Sequence, residues 1–136
     1  MSSRREAREC SLQMLYTVDT CNIPAETVLD FFSDTLPTVE AYREFAKKLF
    51  KGVCQKKEEI DSLIKKYIKN WDLERMATVD RNIIRLATYE ILETPETPIS
   101  VIIDEAVEIS KKYSTKDSSK FVNGILDKLK IVRNNN

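Results

Sequence analysis

Apolar residues recur with the helical period along almost the whole of this sequence. In residues 56–71 they follow the spacing i, i+3, i+4, i+7, i+8 with lysines on the opposite face, and residues 39–54 and 117–131 repeat that pattern. Residues 79–92 are apolar around most of the helical circumference, which is typical of a central helix packed on several neighbours. No stretch alternates apolar and polar residues with period two. The sequence therefore predicts an all-α fold.

Prolines and polar residues interrupt this pattern and predict where helices end. The chain is predicted to form about seven helices with short connections, which make up two packed helical subdomains of one domain. The two groups meet near residue 72, at approximately 1–71 and 72–136. Gly124 lies within a helical pattern, where glycine is unfavourable, so we expect it to allow close approach of another helix. The breaks fall at residues 22–24, near Pro37, at 72–78 and at 95–98, and the predicted N-caps are Thr38, Thr78 and Ser100.

Several function classes are disfavoured by residue types that the sequence lacks or scatters. It has no histidine, the commonest general base, and its two glycines stand apart, so it has no glycine-rich phosphate loop. Cys10, Cys21 and Cys54 form no CxxC motif, which argues against zinc or a disulfide framework and for a reducing compartment. No apolar run approaches the length of a membrane span, and no signal peptide opens the chain. We expect a cytoplasmic protein without catalytic activity, metal or cofactor.

Charge is balanced over the whole chain but not along it. Lysine plus arginine number 22, as do aspartate plus glutamate. Residues 19–44 carry six acids against one base, whereas residues 111–136 carry seven bases against two acids. Such blocks are either solvated helix surfaces or part of one basic face on a neutral protein, and the sequence leaves both interpretations open.

Three arginines lie at the start of the first predicted helix. On a helical wheel Arg4, Arg5 and Arg8 fall within about 100° of one another, beside the apolar stripe. The positive end of the helix dipole and mutual repulsion both make this placement unfavourable. Glu6 and Glu9 neutralise part of the charge, which is one interpretation. Phosphate groups would neutralise it better, because a guanidinium group binds phosphate oxygens in a bidentate manner.

Three separated runs of the sequence have the order and spacing of the motifs of a known family. The runs are RREARECSLQMLY at 4–16, VDRNIIRLATYEIL at 79–92 and DEAVEISKKYSTKDSSKFVNGILDKL at 104–129. Together they resemble the NusB transcription antitermination family. The resemblance implies an all-helical fold without enzymatic activity. It also implies pairing with a small-subunit ribosomal protein, called NusE in this role, so that the pair holds the boxA RNA element for RNA polymerase.

The resemblance also implies which residues contact RNA. The arginine-rich N-terminus is the RNA-contacting arm of the family, and here Glu6 stands where some relatives keep another arginine. Phe121 offers a ring on which an unpaired base of single-stranded RNA can stack, although a core position is the alternative. Arg85 is placed where a basic residue would support either RNA or the protein partner. The residues implied for RNA binding are Arg4, Arg5, Arg8, Arg85, Asp117, Lys120 and Phe121.

A second set of residues is implied for the protein partner. Tyr16 and Asp80 match positions where relatives meet NusE, and Leu12 continues the same side of the first helix as Tyr16. The helical wheel directs Tyr16 away from the apolar stripe, which favours a partner contact over the core. Asp80 is equally explained as a first-turn carboxylate that answers its helix dipole. Some relatives form homodimers that cover the RNA arm, and the sequence leaves this open.

Two other functions fit a helical chain of this kind. The same helical fold occurs fused to ribosomal RNA cytosine methyltransferases, but the sequence as given ends at Asn136 with no Rossmann half to hold a methyl donor. A purely protein-binding helical bundle is the other alternative, with solvated arginines. Loss of RNA binding at raised salt would distinguish the RNA-binding function from this one, because phosphate contacts release counterions.

Overall fold

The computed structural model describes residues 3–69, 72 and 75–134, and within these residues every regular element is helical. The all-α prediction is therefore confirmed. Six segments are helices of about two turns or more and the last is a single turn, so the predicted number of about seven is slightly too high. The elements are α1 Arg4–Cys21, α2 Ala25–Phe31, a 3-10 turn Ser33–Thr35, α3 Glu40–Tyr67, α4 Thr78–Glu93, α5 Ile99–Tyr113, α6 Lys116–Leu129 and α7 Ile131–Asn134.

The chain divides into two compact units, residues 1–55 and residues 56–136. The boundary coincides with Lys56, where the backbone of α3 leaves helical geometry with φ −107° and ψ 16°. The division that the sequence predicts near residue 72 stays a prediction, because residues 70, 71, 73 and 74 lie outside the described part of the chain.

The first unit packs α1 against the first half of α3 through small residues. Ala7 on α1 and Ala46 on α3 are both fully buried. The hydroxyl of Ser11 lies 2.8 Å from the Ala46 carbonyl and 3.0 Å from the Ala7 carbonyl, so it fixes how α1 is aligned along α3. The buried apolar side chains around this contact are Cys10, Leu12, Met14, Leu15, Val28, Leu36, Leu49, Phe50 and Val53.

The second unit is built around α4. Every residue from 82 to 91 is buried, which confirms the prediction of a central helix apolar around most of its circumference. Helices α5 and α6 pack against α4 and against each other, and α7 packs against α4. The buried apolar side chains of the unit include Ile60, Ile64, Ile84, Ile102, Ile109, Val122, Leu126 and Leu129.

The C-terminus of α4 is held by Arg133 of α7. Its guanidinium donates to the carbonyl of Ile91 at 3.1 Å, of Thr97 at 2.6 Å, of Glu90 at 3.2 Å and of Thr94 at 3.1 Å. The last carbonyls of a helix lack intrahelical partners, and a cation there also complements the negative end of the dipole. Arg133 thus closes α4 and orders the connection to α5.

Helix starts differ from the predictions at several positions. Ala77 and Pro98 precede α4 and α5, so Thr78 and Ser100 are inside helices and are not their N-caps. Thr38 lies two residues before the start of α3. The side-chain caps observed are Ser3, which accepts from the Glu6 amide, and Thr115, which accepts from the Ser118 amide.

Gly124 does not serve the packing that the sequence suggested. A Cβ atom built on it would meet nothing within 4 Å, so no described helix approaches this position closely. The prediction of helix–helix contact at Gly124 is wrong, because the residue lies on the exposed side of α6.

Candidate nucleic-acid interface

The arginine cluster occupies the first two turns of α1. Ser3 begins the helix, since its side chain accepts a hydrogen bond of 3.1 Å from the amide of Glu6. Arg4 and Arg5 follow directly and are exposed, and Glu6 is the acidic residue of the first turn. The cluster therefore stands at the positive end of the helix dipole, as the sequence predicts.

Phe45 of α3 provides an aromatic partner for two of these arginines. The Cζ atom of Arg4 lies 4.5 Å from the centroid of the Phe45 ring, and the Cζ atom of Arg8 lies 5.3 Å from it. Both distances are within the range of cation–π attraction, because the face of an aromatic ring is electronegative. The apolar pattern of residues 39–54, which includes Phe45, gives no sign of this contact.

Arg8 differs from Arg4 and Arg5 in its exposure. Only 4% of Arg8 is accessible to solvent, although the wheel groups it with Arg4 and Arg5 beside the apolar stripe. The helical wheel correctly groups Arg8 with Arg4 on one side of α1, since both side chains contact the Phe45 ring. It could not show that α3 covers this residue, because a helical wheel contains no information about neighbouring helices.

The two residues of α1 implied for the protein partner have opposite environments. Tyr16 is 41% exposed, so its ring is on the side of α1 that the wheel predicted. Leu12 is buried in the core of the first unit. A side chain without accessible surface has nothing to offer a partner in this conformation, so we correct the assignment of Leu12 to a core residue.

Asp80 links the starts of α4 and α6 in the second unit. One carboxylate oxygen, Oδ2, accepts a 3.0 Å hydrogen bond from the hydroxyl of Ser118, and Thr115 caps α6 beside it. The other oxygen, Oδ1, is buried and has no hydrogen-bond partner among the described residues. Asp80 is also in the first turn of α4, where a carboxylate is favoured by the helix dipole. The contact with Ser118 thus accounts for Oδ2 of Asp80, whereas the hydrogen-bonding capacity of Oδ1 is left unsatisfied.

A cavity of about 630 Å³ opens beside Asp80 in the second unit. Phe121 and Gly124 of α6 line it. The charged residues of the lining are the basic Lys69, Arg75 and Lys128 and the acidic Asp72 and Asp80. Phe121 is 47% exposed, so the structure disfavours the alternative that its ring fills the core. An exposed ring next to lysines is an arrangement that suits stacking of a base with its phosphate nearby.

Asp117 and Lys120 lie in the first two turns of α6, and both are exposed. Asp117 is the acidic residue of the first turn, where the helix dipole stabilises it. Lys120 is adjacent in sequence to Phe121. The structure thus places these two charges on the surface of the same helix that carries the exposed ring.

Arg85 does not belong to an exposed surface. It is 5% exposed, and its Nε and Nη2 atoms donate to the two carboxylate oxygens of Asp61 at 2.9 and 3.1 Å. A third contact joins its Nη1 to Asn82 Oδ1 at 3.3 Å. These bonds commit the guanidinium to the interior, so we leave Arg85 out of the candidate interface. No sequence signal connects Arg85 with Asp61, which is 24 residues away.

The cysteines and acidic residues of the described chain suggest no reaction centre. Burial raises the pKa of the Cys10 thiol above its ordinary value, and a hydrogen bond with Thr35 lowers it by less. A thiol of this kind is a poor nucleophile. No group of three or more histidine, cysteine, aspartate or glutamate residues that could hold a metal ion occurs within the described residues. Among the helices described, none has the length and apolar character needed to cross a membrane.

These features define an all-helical protein whose candidate site is a charged and aromatic surface. A protein-family model of the NusB family matches residues 5–130. The transcription antitermination protein NusB of Elusimicrobium minutum is 43% identical over 137 residues, which cover 99% of this chain and 98% of that protein. The chain therefore belongs to the NusB family.

Solved structures agree with this membership. The structure of NusB from T. maritima superposes with a TM-score of 0.84 at 38% identity, over 95% of this chain and 91% of that one. A crystal structure of the antitermination factors NusB and NusE in complex with double-stranded RNA superposes with a TM-score of 0.85 at 27% identity, over 95% of this chain and 96% of that one.

Proposed function

We propose that this protein is an RNA-binding transcription antitermination adaptor that pairs with NusE and holds boxA-type RNA for RNA polymerase in the cytoplasm. The observation that carries the proposal is the cluster of Arg4 and Arg5, two exposed cations placed where the helix dipole disfavours them. Bound phosphate groups would remove this disadvantage. The function is binding and needs no catalytic group.

A structure of a relative supports the proposal that both NusE and RNA are partners of this protein. The solved complex contains NusB, NusE and RNA together, and its NusB chain has the same fold as this one. We propose that the whole chain forms one domain with two packed helical subdomains, as in the family. Homodimer formation stays a prediction.

Each unit contributes residues to the proposal. In the first unit, Arg4, Arg5 and Arg8 form the RNA arm and Tyr16 meets NusE. In the second unit, Phe121 stacks on a base. Asp117 and Lys120 flank that ring. Asp80 is only 6% exposed, so, like Leu12, it is left out of the proposed contact with NusE.

The test is a titration of labelled single-stranded boxA-type RNA with the protein, in the presence and absence of saturating NusE. A shared RNA surface predicts at least about tenfold tighter binding with NusE, which corresponds to a coupling of about 1.4 kcal/mol. Linkage requires RNA to tighten the NusE complex by the same factor. Equal affinities in the two titrations would instead indicate that each partner binds independently. A parallel titration with the double-stranded form shows which form is preferred.

Two variants assign these effects to residues. Replacing Arg4 and Arg5 by Glu should flatten the dependence of log affinity on log salt, by about 0.7 per lost phosphate contact for single strands. The matched control is Lys65→Glu with Lys66→Glu, which changes the net charge equally at two exposed residues of α3. Tyr16→Asp should abolish the gain from NusE and leave the affinity for RNA alone unchanged. Equal losses of RNA affinity in the arginine variant and its control would contradict the assignment of Arg4 and Arg5 to the RNA arm.

A further inference from the structure

Phe45 is the one aromatic ring among the described residues that contacts two arginines of α1. We propose that Phe45 is a positioning residue of the RNA arm, whose ring holds the Arg4 and Arg8 guanidinium groups in place and thereby raises RNA affinity. This inference rests on the proposed RNA-binding function. It assigns to α3 a part of the RNA site that neither the arginine motif nor the family resemblance indicates.

The position of the ring relative to the arginines is set by buried contacts. Ala46, the next residue after Phe45, accepts the 2.8 Å hydrogen bond from Ser11, which is one turn beyond Arg8 on α1. Ala7 and Ala46 are both fully buried, so the two helix backbones approach closely here. The ring is thus placed by the core of the first unit, and the arginine side chains order themselves against it.

An aromatic ring suits this task better than a carboxylate would. A carboxylate at the same place would neutralise a guanidinium group and compete with phosphate for its N–H donors. The face of the ring attracts the Arg4 cation through its quadrupole and leaves its charge and its N–H donors available to a phosphate group. Because the side chain is already ordered, less rotamer freedom is lost when phosphate binds.

The two arginines differ in what they contribute. Arg4 is exposed, so its donors are accessible to a phosphate group. Arg8 is 4% exposed, and its Cζ atom lies 5.3 Å from the same ring. Arg8 is therefore the buried member of the pair, and Arg4 is the member whose donors a phosphate group can reach.

The first experiment weakens the ring face without changing its shape. Phe45 is replaced site-specifically by phenylalanine carrying one, two or three fluorine atoms, which progressively withdraw charge from the ring face. We expect RNA affinity to fall stepwise, by roughly fivefold for the trifluoro form, as loss of a partly desolvated cation–π contact implies. The dependence on salt should not change, because every arginine is retained. The same series at Phe31, which is 81% exposed, is the matched control.

The second experiment reads the contact in the free protein. NMR chemical shifts of the Arg4 and Arg8 side chains should show ring-current displacement, which Phe45→Leu removes and Phe45→Tyr keeps. RNA affinity should follow the same order, with the Phe45→Tyr variant binding within about twofold of the unaltered protein. If Phe45→Leu fails to fold, the fluorinated series decides alone, since fluorine hardly alters packing.

The possible outcomes separate the two proposals. Equal or rising RNA affinity along the fluorinated series, in a protein that binds RNA, would overturn the positioning role and leave the RNA-binding function intact. Failure of the unaltered protein to bind RNA at low salt would overturn the proposed function and the positioning role with it. A stepwise fall at Phe45, with no change at Phe31, supports both.

Discussion

Two arginines at the start of α1 and two arginines of the second unit have partners of different chemistry. In the first unit, Arg4 and Arg8 contact the ring of Phe45, which attracts a cation without cancelling its charge. In the second unit, Arg85 is bound by the Asp61 carboxylate and Arg133 by four backbone carbonyls. Arg85 and Arg133 therefore serve as internal connectors, whereas Arg4 is a charged surface group. The difference lies in the acceptors that the fold brings to each side chain.

The largest effect that this comparison predicts is for Arg85→Ala. The substitution leaves the largely buried Asp61 carboxylate without its cation, so the free energy of unfolding should fall by about 3–5 kcal/mol. Urea denaturation followed by circular dichroism measures the loss. The matched control is Arg75→Ala, because the Arg75 side chain is 89% exposed and pairs with Asp72 at the surface. That control should lose less than about 1 kcal/mol.

A second variant separates the ion pair from the burial of one charge. Replacing Arg85 by Met and Asp61 by Leu removes both charges together and keeps the volume approximately constant. Because the cost of a broken buried pair lies mainly in the charge left behind, the double variant should recover most of the lost stability. A double variant as unstable as Arg85→Ala would show that the hydrogen bonds themselves, including that to Asn82, stabilise the unit.

The next effect in size is for Arg133→Ala. Four carbonyls at the end of α4 lose a charged donor, and two of them, in Ile91 and Thr97, have no other hydrogen-bond donor among the described contacts. Water reaches this partly buried site, so we expect the free energy of unfolding to fall by about 2–3 kcal/mol. Arg133→Lys keeps the charge but cannot make four bonds, and it should lose about half as much. Equal stability of the Ala variant and the native protein would contradict this role of Arg133.

Sequence reasoning reached the fold through periodicity. The pattern of residues 79–92 predicts a central helix, and α4 is that helix, because apolar residues cover most of its circumference and Arg85 has its partners inside the unit. The first residues of the helices are harder to predict from the sequence. Thr78 has a side chain suited to an N-cap, but the N-cap of α4 is Ala77. N-cap preferences say which residue types suit the position, but they do not determine at which residue the backbone enters the helix.

The sequence predicts a residue of the candidate site correctly only where the side of a single helix on which the residue lies determines its environment. The wheel placed Tyr16 outside the core and grouped the arginines correctly, because both are properties of α1 alone. Leu12, Arg85 and Phe45 were misassigned or missed, since their environments depend on helices distant in sequence. A single sequence contains nothing that predicts the contact between Asp61 and Arg85.

The smallest expected effect is for Arg4→Gln, and it bears directly on the comparison. Loss of the cation–π contact with Phe45 costs about 0.5–1 kcal/mol at an exposed site. Removal of a positive charge from the N-terminus of α1 returns about 0.3–1 kcal/mol. Relief of repulsion with Arg8 at i+4 returns about 0.2–0.5 kcal/mol more.

These contributions oppose one another, so the free energy of unfolding of Arg4→Gln should lie between about 0.5 kcal/mol below and about 1 kcal/mol above the native value. Glutamine keeps much of the side-chain length, and the same denaturation series that measures Arg85→Ala gives the result under identical conditions. A loss above about 1.5 kcal/mol would mean that Arg4 stabilises the fold as the arginines of the second unit do. A change near zero, together with a reduced salt dependence of RNA binding, would show that this charge is retained for an external anion because folding gains nothing from it.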